Sequence, residues 1–394
     1  MSNRLCLILM GAMGQIPFAG MAWEALNYLA GFRRLGHDVY YIEDTNAWPY
    51  DPEQDGSSND CRHAVSYLSE VMDWANLSAK WAYRAAEPDG RLYGLSESRF
   101  SQVFKEADVL INWGASTRLR DEHLRVPVRI LLQTDPGAGE ILAAQGDPGT
   151  IEMLSAHTHF FNWAENLGAP DCLLPAGPFH YETTRMPLML DWFTLPGDAA
   201  PGGSQAQPLR FTTMANWYQP GEIEWNGQIY PWSKHTQFLK FIDLPRHVGQ
   251  PIELALGSVD YDSIRLLVSH GWRVIDAAPF GKEILPFRDY ICASDAEFTV
   301  AKDQYVRLRT GWFSDRSAYY LAAGKPVITQ ETGFSRLLPT GEGLLAFSTM
   351  EHAVAAFEAV HADYHKHSRA ARAVAEECFR AEKVLAKLID DTGL

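Results

Sequence analysis

Lys302, Arg307, Arg309 and Arg316 crowd one short stretch of this 394-residue chain, and Ser314 and Ser317 stand among them at the start of a predicted helix. The first N–H groups of a helix have no partner within it and carry partial positive charge. With lysine and arginine beside them they suit a phosphorylated ligand; the plain alternative is a solvated basic face. Glu331, Thr332 and Gly333 follow at the carboxyl end of the apolar run Val327–Gln330. Open α/β sheets place their ligands outside that end of their strands. Gly14 and Gln15 hold a comparable place in the first half of the chain, in a glycine turn behind the apolar run Arg4–Met10.

The elements that would position these residues alternate regularly. Arg4–Met10 reads as a buried strand, Met21–Arg34 as a helix with apolar residues at helical spacing, and Val39–Ile42 as a second strand. Strand, glycine turn, helix and strand make a βαβ unit with a parallel sheet. The turn lacks the strict G-x-G-x-x-G spacing, so a dinucleotide is not implied. Further strands are expected at Val109–Trp113, Val128–Leu132 and His159–Trp163, each running into a polar or glycine-rich loop. Leu195–Pro208, with three prolines and three glycines, is the best linker in the chain. Beyond it, strands at Leu209–Trp217, Ile252–Gly257, Trp272–Ile275 and Ala296–Ala301 alternate with helices at Trp232–Asp243, Ser263–His270 and 282–293. Trp217–Lys234, rich in tryptophan and tyrosine, reads as a loop near the cleft. The next helix ends at Gly324-Lys325-Pro326, because glycine accepts positive φ and the residue before proline avoids the helical region. The fold class is therefore α/β, with two Rossmann-like domains facing across a cleft. Residues 1–195 form the first, 196–208 the linker and 209–364 the second.

The order helix, Gly324-Lys325-Pro326-Val327-Ile328, polar residues, Thr332-Gly333-Phe334, a gap and Gly341-Glu342-Gly343-Leu344-Leu345 resembles the donor site of glycosyltransferases with the GT-B fold. The likeness is specific over residues 290–347 and only architectural in the first half. It implies a nucleotide-sugar co-substrate held by the second domain and no further cofactor. On this resemblance Lys234, Lys302, Arg307, Arg309, Ser314, Arg316 and Ser317 would grip a diphosphate, and Glu331, Thr332 and Gly333 a sugar. Gly14 and Gln15 would face the cleft, and the last helix, about 365–394, would cross back onto the first domain. Glycosyl transfer also needs an oriented acceptor hydroxyl, deprotonated in inverting enzymes, and the sequence leaves open whether transfer inverts or retains. Asp135, Glu165 and His180 are the candidate groups, with Glu43 behind them. One departure stands out. The retaining members of the related group carry a glutamate pair, and Gly311 and Tyr319 stand at those positions here.

A net charge of −15 argues against a nucleic-acid partner and against broad docking on an anionic membrane. No apolar run is long enough to span a bilayer. Five scattered cysteines without a C-x-x-C suggest neither a disulfide framework nor a zinc site, and fit a cytoplasmic location. No metal is expected, and P-loop, zincin and α/β-hydrolase motifs are missing. The expected activity is metal-independent glycosyl transfer to an acceptor that the sequence leaves open, as it leaves the oligomeric state. The rivals are a nucleotide-sugar epimerase on the same architecture and a non-catalytic nucleotide-binding protein.

Overall fold

The structure is a computed structural model and describes residues 4–52, 54, 56–194 and 208–394. The expected linker, 196–208, lies outside the described residues apart from Pro208.

The first half builds one sheet from β1 (Cys6–Met10), β2 (Asp38–Glu43), β3 (Trp81–Arg84), β4 (Leu92–Gly94), β5 (Val109–Trp113), β6 (Val128–Gln133), β7 (His159–Asn162) and β8 (Glu182–Thr183). Their spatial order is β8-β7-β6-β5-β1-β2-β3-β4. Every pair is parallel except β3 with β4. Leu7–Met10 and Val109–Trp113 are buried along their whole length. A parallel sheet covered by helices on both faces requires such unbroken apolar runs, which is why alternation is missing from them.

The second half repeats the plan with β9 (Phe211–Asn216), β12 (Ile252–Gly257), β13 (Arg273–Asp276), β14 (Ala296–Thr299), β15 (Val327–Gln330) and β16 (Leu344–Phe347). This sheet is wholly parallel and runs β13-β12-β9-β14-β15-β16. Between β9 and β12 lies a feature the sequence reading treated as a loop. Glu222–Trp225 (β10) and Gln228–Pro231 (β11) form an antiparallel hairpin. Asn226 and Gly227, at φ 51° and 72°, make its two-residue turn. That Asn-Gly pair between two short apolar-polar runs is the usual hairpin signal. The helix expected over Trp232–Asp243 is correspondingly shorter, His235–Lys240.

Both sheets reverse direction of travel at one point, between β1 and β5 in the first and between β9 and β14 in the second. Crevices at such points, beyond the carboxyl ends of the strands, are where open α/β sheets hold ligands. The two halves touch through aromatic rings. Trp23 donates its indole N–H to the Ile284 carbonyl at 2.8 Å, and Phe193 stacks on Tyr319 with centroids 4.7 Å apart. At the end of the chain the backbone of Leu188 is bonded to Phe379 and Ala381, at 2.7 and 2.9 Å, and Ala381–Asp390 then packs on the helix Ala19–Arg34 of the first half. Gly31 lets the two helices approach, since a Cβ there would run into the Leu385 side chain.

Candidate active site in the interdomain cleft

The turn after β1 is built from below. The buried Glu43 carboxylate, at the end of β2, accepts the backbone N–H groups of Gly14 at 2.8 Å and Gln15 at 2.5 Å. The Tyr41 hydroxyl reaches the same carboxylate at 3.1 Å and accepts the Met13 N–H at 2.7 Å. Burial pushes the Glu43 pKa up to about 7, against the pull of these hydrogen bonds. With its carboxyl bonded to three groups of this turn and absent from the cavity lining, Glu43 holds the turn in shape. Gly14 has no room for a side chain, because a Cβ would sit 2.7 Å from Leu68.

Above this turn the two switch points face each other across a cavity of about 610 Å³. The first half contributes Gln15, Ile16, Phe18, Glu24, Trp113 and Asp135; the second contributes Asn216, Trp232, Lys234, Lys302, Asp315 and Arg316. Lys234, Lys302 and Arg316 bring three cations to one wall. Lys302 Nζ lies 3.0 Å from Asp135 and 3.6 Å from the centre of the Trp232 ring. Lys234 is buried, with Nζ 3.5 Å from the Thr299 hydroxyl. Burial lowers its pKa, Arg316 and Lys302 lower it further, and Glu297 pulls the other way. Arg316 has no ion pair or hydrogen bond among the described residues, and its guanidinium reaches to within 3.9 Å of where a Cβ at Gly20 would lie. An unpaired guanidinium beside two lysines, at the start of the helix Asp315–Ala322, is an anion site of strong field.

Asp135 also lines the cavity, and 54% of its side chain is open to it. Burial beneath the cleft opposes its charge, but Lys302, the Tyr305 hydroxyl and Arg316 more than offset this and hold its pKa below the usual carboxylate range. Glu24 is the opposite case. It is 8% exposed, accepts the indole N–H of Trp113, and has a pKa raised first by burial and then by Asp315 and Asp135.

Neither a protein-family model nor a curated protein matches the chain. Solved structures do. Anabaena HepE in complex with UDP and glucose is 10% identical, with a TM-score of 0.59 over 99% of this chain and 100% of that one. An alpha-glucosyltransferase in complex with UDP and a 13-mer DNA containing a HMU base is 10% identical, with a TM-score of 0.58 over 100% of both chains. AviGT4, a glycosyltransferase involved in avilamycin A biosynthesis, is 10% identical, with a TM-score of 0.52 over 98% of this chain and 96% of that one.

The fold is GT-B.

Within this GT-B frame the expected site residues separate into two groups. Gln15, Asp135, Lys234, Lys302 and Arg316 meet in the cavity, Gly14 shapes its floor, and the buried Ser314 precedes the helix whose first turn faces it. The others lie elsewhere. Arg307 bonds Asp303 at 3.0 Å and the Ile229 carbonyl at 2.7 Å, so it holds the β10–β11 hairpin. Arg309 pairs with Asp171 at 2.9 Å, away from the cavity. Ser317 is wholly buried and is not among the residues lining the cavity. Thr332 bonds the Trp312 carbonyl at 2.7 Å, Glu331 accepts the Gly333 N–H, and Gly333, at φ 106°, packs against Asn166. These residues form a joint between the domains. Glu165 is locked by Arg185 at 2.5 Å, and His180, 90% exposed, faces Glu182 at 3.3 Å on the surface. The joint also accounts for the absent glutamate pair. Gly311 has φ 79°, and any side chain there would overlap the Asn166 backbone, while Tyr319 is wholly buried against Phe193.

Glu24, Trp113, Asn216 and Asp315 also line the cavity, and none of them is a candidate on sequence grounds. A signal existed for Glu24. On the helix Ala19–Arg34 it lies in the stripe Gly20, Glu24, Asn27 and Gly31, small and polar residues at helical spacing on a helix buried nearly all round. Asn27 in that stripe accepts the Met189 N–H at 2.6 Å. One group among the described residues has the spacing of a metal site: Asp44, Glu122 and His123. Arg84 lies 3.2 Å from Asp44, and Arg120 bonds the same carboxylate, so two guanidinium groups already neutralise it. That donor set fits an ion-pair network better than a cation. Among the described residues no helix is long and apolar enough to cross a membrane.

Proposed function

We propose that this protein is a cytoplasmic glycosyltransferase that moves a sugar from a nucleotide sugar, with a uridine diphosphate leaving group, to an acceptor hydroxyl without a metal ion. The observation that carries the proposal is the wall of Lys234, Lys302 and Arg316 at the second domain's switch point, facing the first domain's switch point across one cavity. Charge developing on a departing diphosphate needs donors already in place, and this wall supplies them. The UDP held by HepE and by the alpha-glucosyltransferase supports uridine as the nucleoside. Ala277 and Gly281, in the segment after β13, line the same cavity and leave room there for a nucleoside. Residues 1–195 serve as the acceptor half and 209–364 as the donor half, with the end of the chain strapping the donor half to the first.

The mechanism that follows is electrostatic. The diphosphate docks on the three cations and on the free N–H groups opening the helix Asp315–Ala322. Trp232 and Asn216 line the space between it and the first domain, where the sugar would lie. Asp135 orients Lys302 and stays ionised. The acceptor enters over Ile16 and Phe18, which line the cavity and keep exposed apolar surface. A net charge of −15 and acidic groups in the acceptor half favour an uncharged acceptor over nucleic acid. Calorimetric titration of UDP, followed by release of UDP from a panel of UDP-sugars with and without acceptor alcohols, tests the proposal. Binding and acceptor-dependent release are expected. An epimerised sugar in place of transfer, or no UDP binding, would displace it.

A further inference from the structure

The proposed transfer leaves one proton to place. The acceptor O–H must lose it as the new bond to the anomeric carbon forms and the bond to the diphosphate oxygen breaks, its electron pair leaving with the diphosphate. Three carboxyl groups line the cavity: Glu24, Asp135 and Asp315. Asp135 already accepts from Lys302 at 3.0 Å and from the Tyr305 hydroxyl. Both contacts fall on Oδ1, and with the cations nearby they weaken its affinity for protons, so it stays ionised. Asp315 belongs to the first turn of the donor-half helix, on the side where the diphosphate docks, and Ser314 approaches it at 3.4 Å. A base there would lie beside the leaving group rather than beside the incoming hydroxyl.

We infer that Glu24 takes the proton from the acceptor hydroxyl. This rests on the glycosyltransferase reading above. Glu24 stands on the acceptor half, on the helix that follows the glycine turn, and lines the cavity although only 8% of the residue is exposed. One oxygen is fixed by the indole N–H of Trp113, at the end of β5. Helix and strand therefore aim the group, and no cation neutralises it: no lysine, arginine or histidine pairs with it among the described residues. The groups that face it are Asp135 and Asp315 across the cavity, Tyr28 one turn along its own helix, Tyr319 from the second domain, and the Trp113 and Thr134 donors. The two carboxylates and the burial raise its proton affinity; Trp113 and Thr134 lower it. Two carboxyls in one site are thus driven apart, Asp135 towards permanent charge and Glu24 towards holding a proton more readily. That division is the mark of an acid–base assignment.

The test uses the full chain with UDP-glucose and water or a simple alcohol as acceptor, reading UDP release against pH. Glu24→Gln keeps the Trp113 contact and cannot take a proton. The expected result is a kcat lowered by about 10²–10⁴-fold with the KM for UDP-glucose changed less than about threefold. Wild type should show a rising limb of kcat with pH, Glu24→Asp should keep that limb, and Glu24→Gln should lose it. UDP binding by calorimetry, unchanged in Glu24→Gln, shows that the variant is folded. A Glu24→Gln enzyme with wild-type kcat, or one that keeps the rising limb, overturns the inference and leaves the donor site standing. Wild-type protein that binds UDP-glucose but never releases UDP overturns it too. Failure of wild-type protein to bind UDP at all sinks the glycosyltransferase reading itself.

Discussion

At the scale of single residues the cavity wall separates arginines that look alike in sequence. Arg316 is unpaired and faces the cavity, while Arg309 is committed to Asp171. Arg316→Ala should therefore weaken UDP binding by about 1.5–3 kcal/mol, roughly ten- to a hundredfold in Kd, whereas Arg309→Ala should leave Kd within about twofold. Calorimetry on the two variants decides between them, and equal losses would return Arg309 to the site. Lys234 makes a second prediction. Burial, with Arg316 and Lys302 nearby, brings its pKa down to about 7. A bound diphosphate favours its charged form and raises that pKa again. Between about 7 and the ordinary lysine value of 10.5, binding must then take up a proton, and affinity must fall as pH rises through this window. Titrations at pH 8 in buffers of different ionisation enthalpy should show the uptake, and Lys234→Met should abolish it.

At the scale of elements the glycine turn after β1 depends on one carboxyl. Glu43 has a folded pKa of about 7, above the 4.5 of an unperturbed glutamate. Between those values the native state holds a proton that the unfolded chain has lost. The contribution to stability is full below 4.5, falls as pH rises to 7 and is flat beyond, a change of about 3 kcal/mol. Glu43→Gln lacks this dependence but loses an acceptor for one of the two backbone N–H groups. Urea unfolding should show the variant destabilised at pH 5 and its deficit smaller at pH 8; a deficit that grows with pH would refute the assignment. The βαβ start, the strand–loop alternation and the glycine-lysine-proline stop were legible in the sequence because each rests on local chemistry. The hairpin at Asn226-Gly227 was equally local, and only the density of aromatic residues around it hid the signal. What local chemistry cannot show is which side of a loop meets the other domain. Arg307, Arg309, Glu331, Thr332 and Gly333 carry the right residue types at the right strand ends, yet packing against the hairpin and against Asn166 and Asp171 turns them away from the cavity. Glu24 was hidden for the converse reason, as an acid on a helix whose apolar spacing describes a core.

At the scale of the molecule two of the contact sets that tie the domains differ in what a ligand can do to them. The joint behind the cavity joins Asn166 to the Thr310 carbonyl at 3.0 Å and Asp171 to Arg309 and Arg336 at 2.9 and 2.8 Å, with no ligand-facing group. The tie across the cavity is Asp135 of the first domain with Lys302 and Tyr305 of the second. Lys302 cannot serve Asp135 and a diphosphate equally, so donor binding must spend part of its energy on displacing the carboxylate. With half of the Asp135 side chain open to the cavity, the pair is worth only about 1 kcal/mol. Asp135→Asn should accordingly tighten UDP binding by roughly fivefold while lowering the midpoint of thermal unfolding, because the charge that competes for Lys302 also helps to hold the halves together. Calorimetry and thermal unfolding on the one variant read both effects. If UDP binding weakens instead, Asp135 contacts the donor directly, and Lys302 is placed by Trp232 alone.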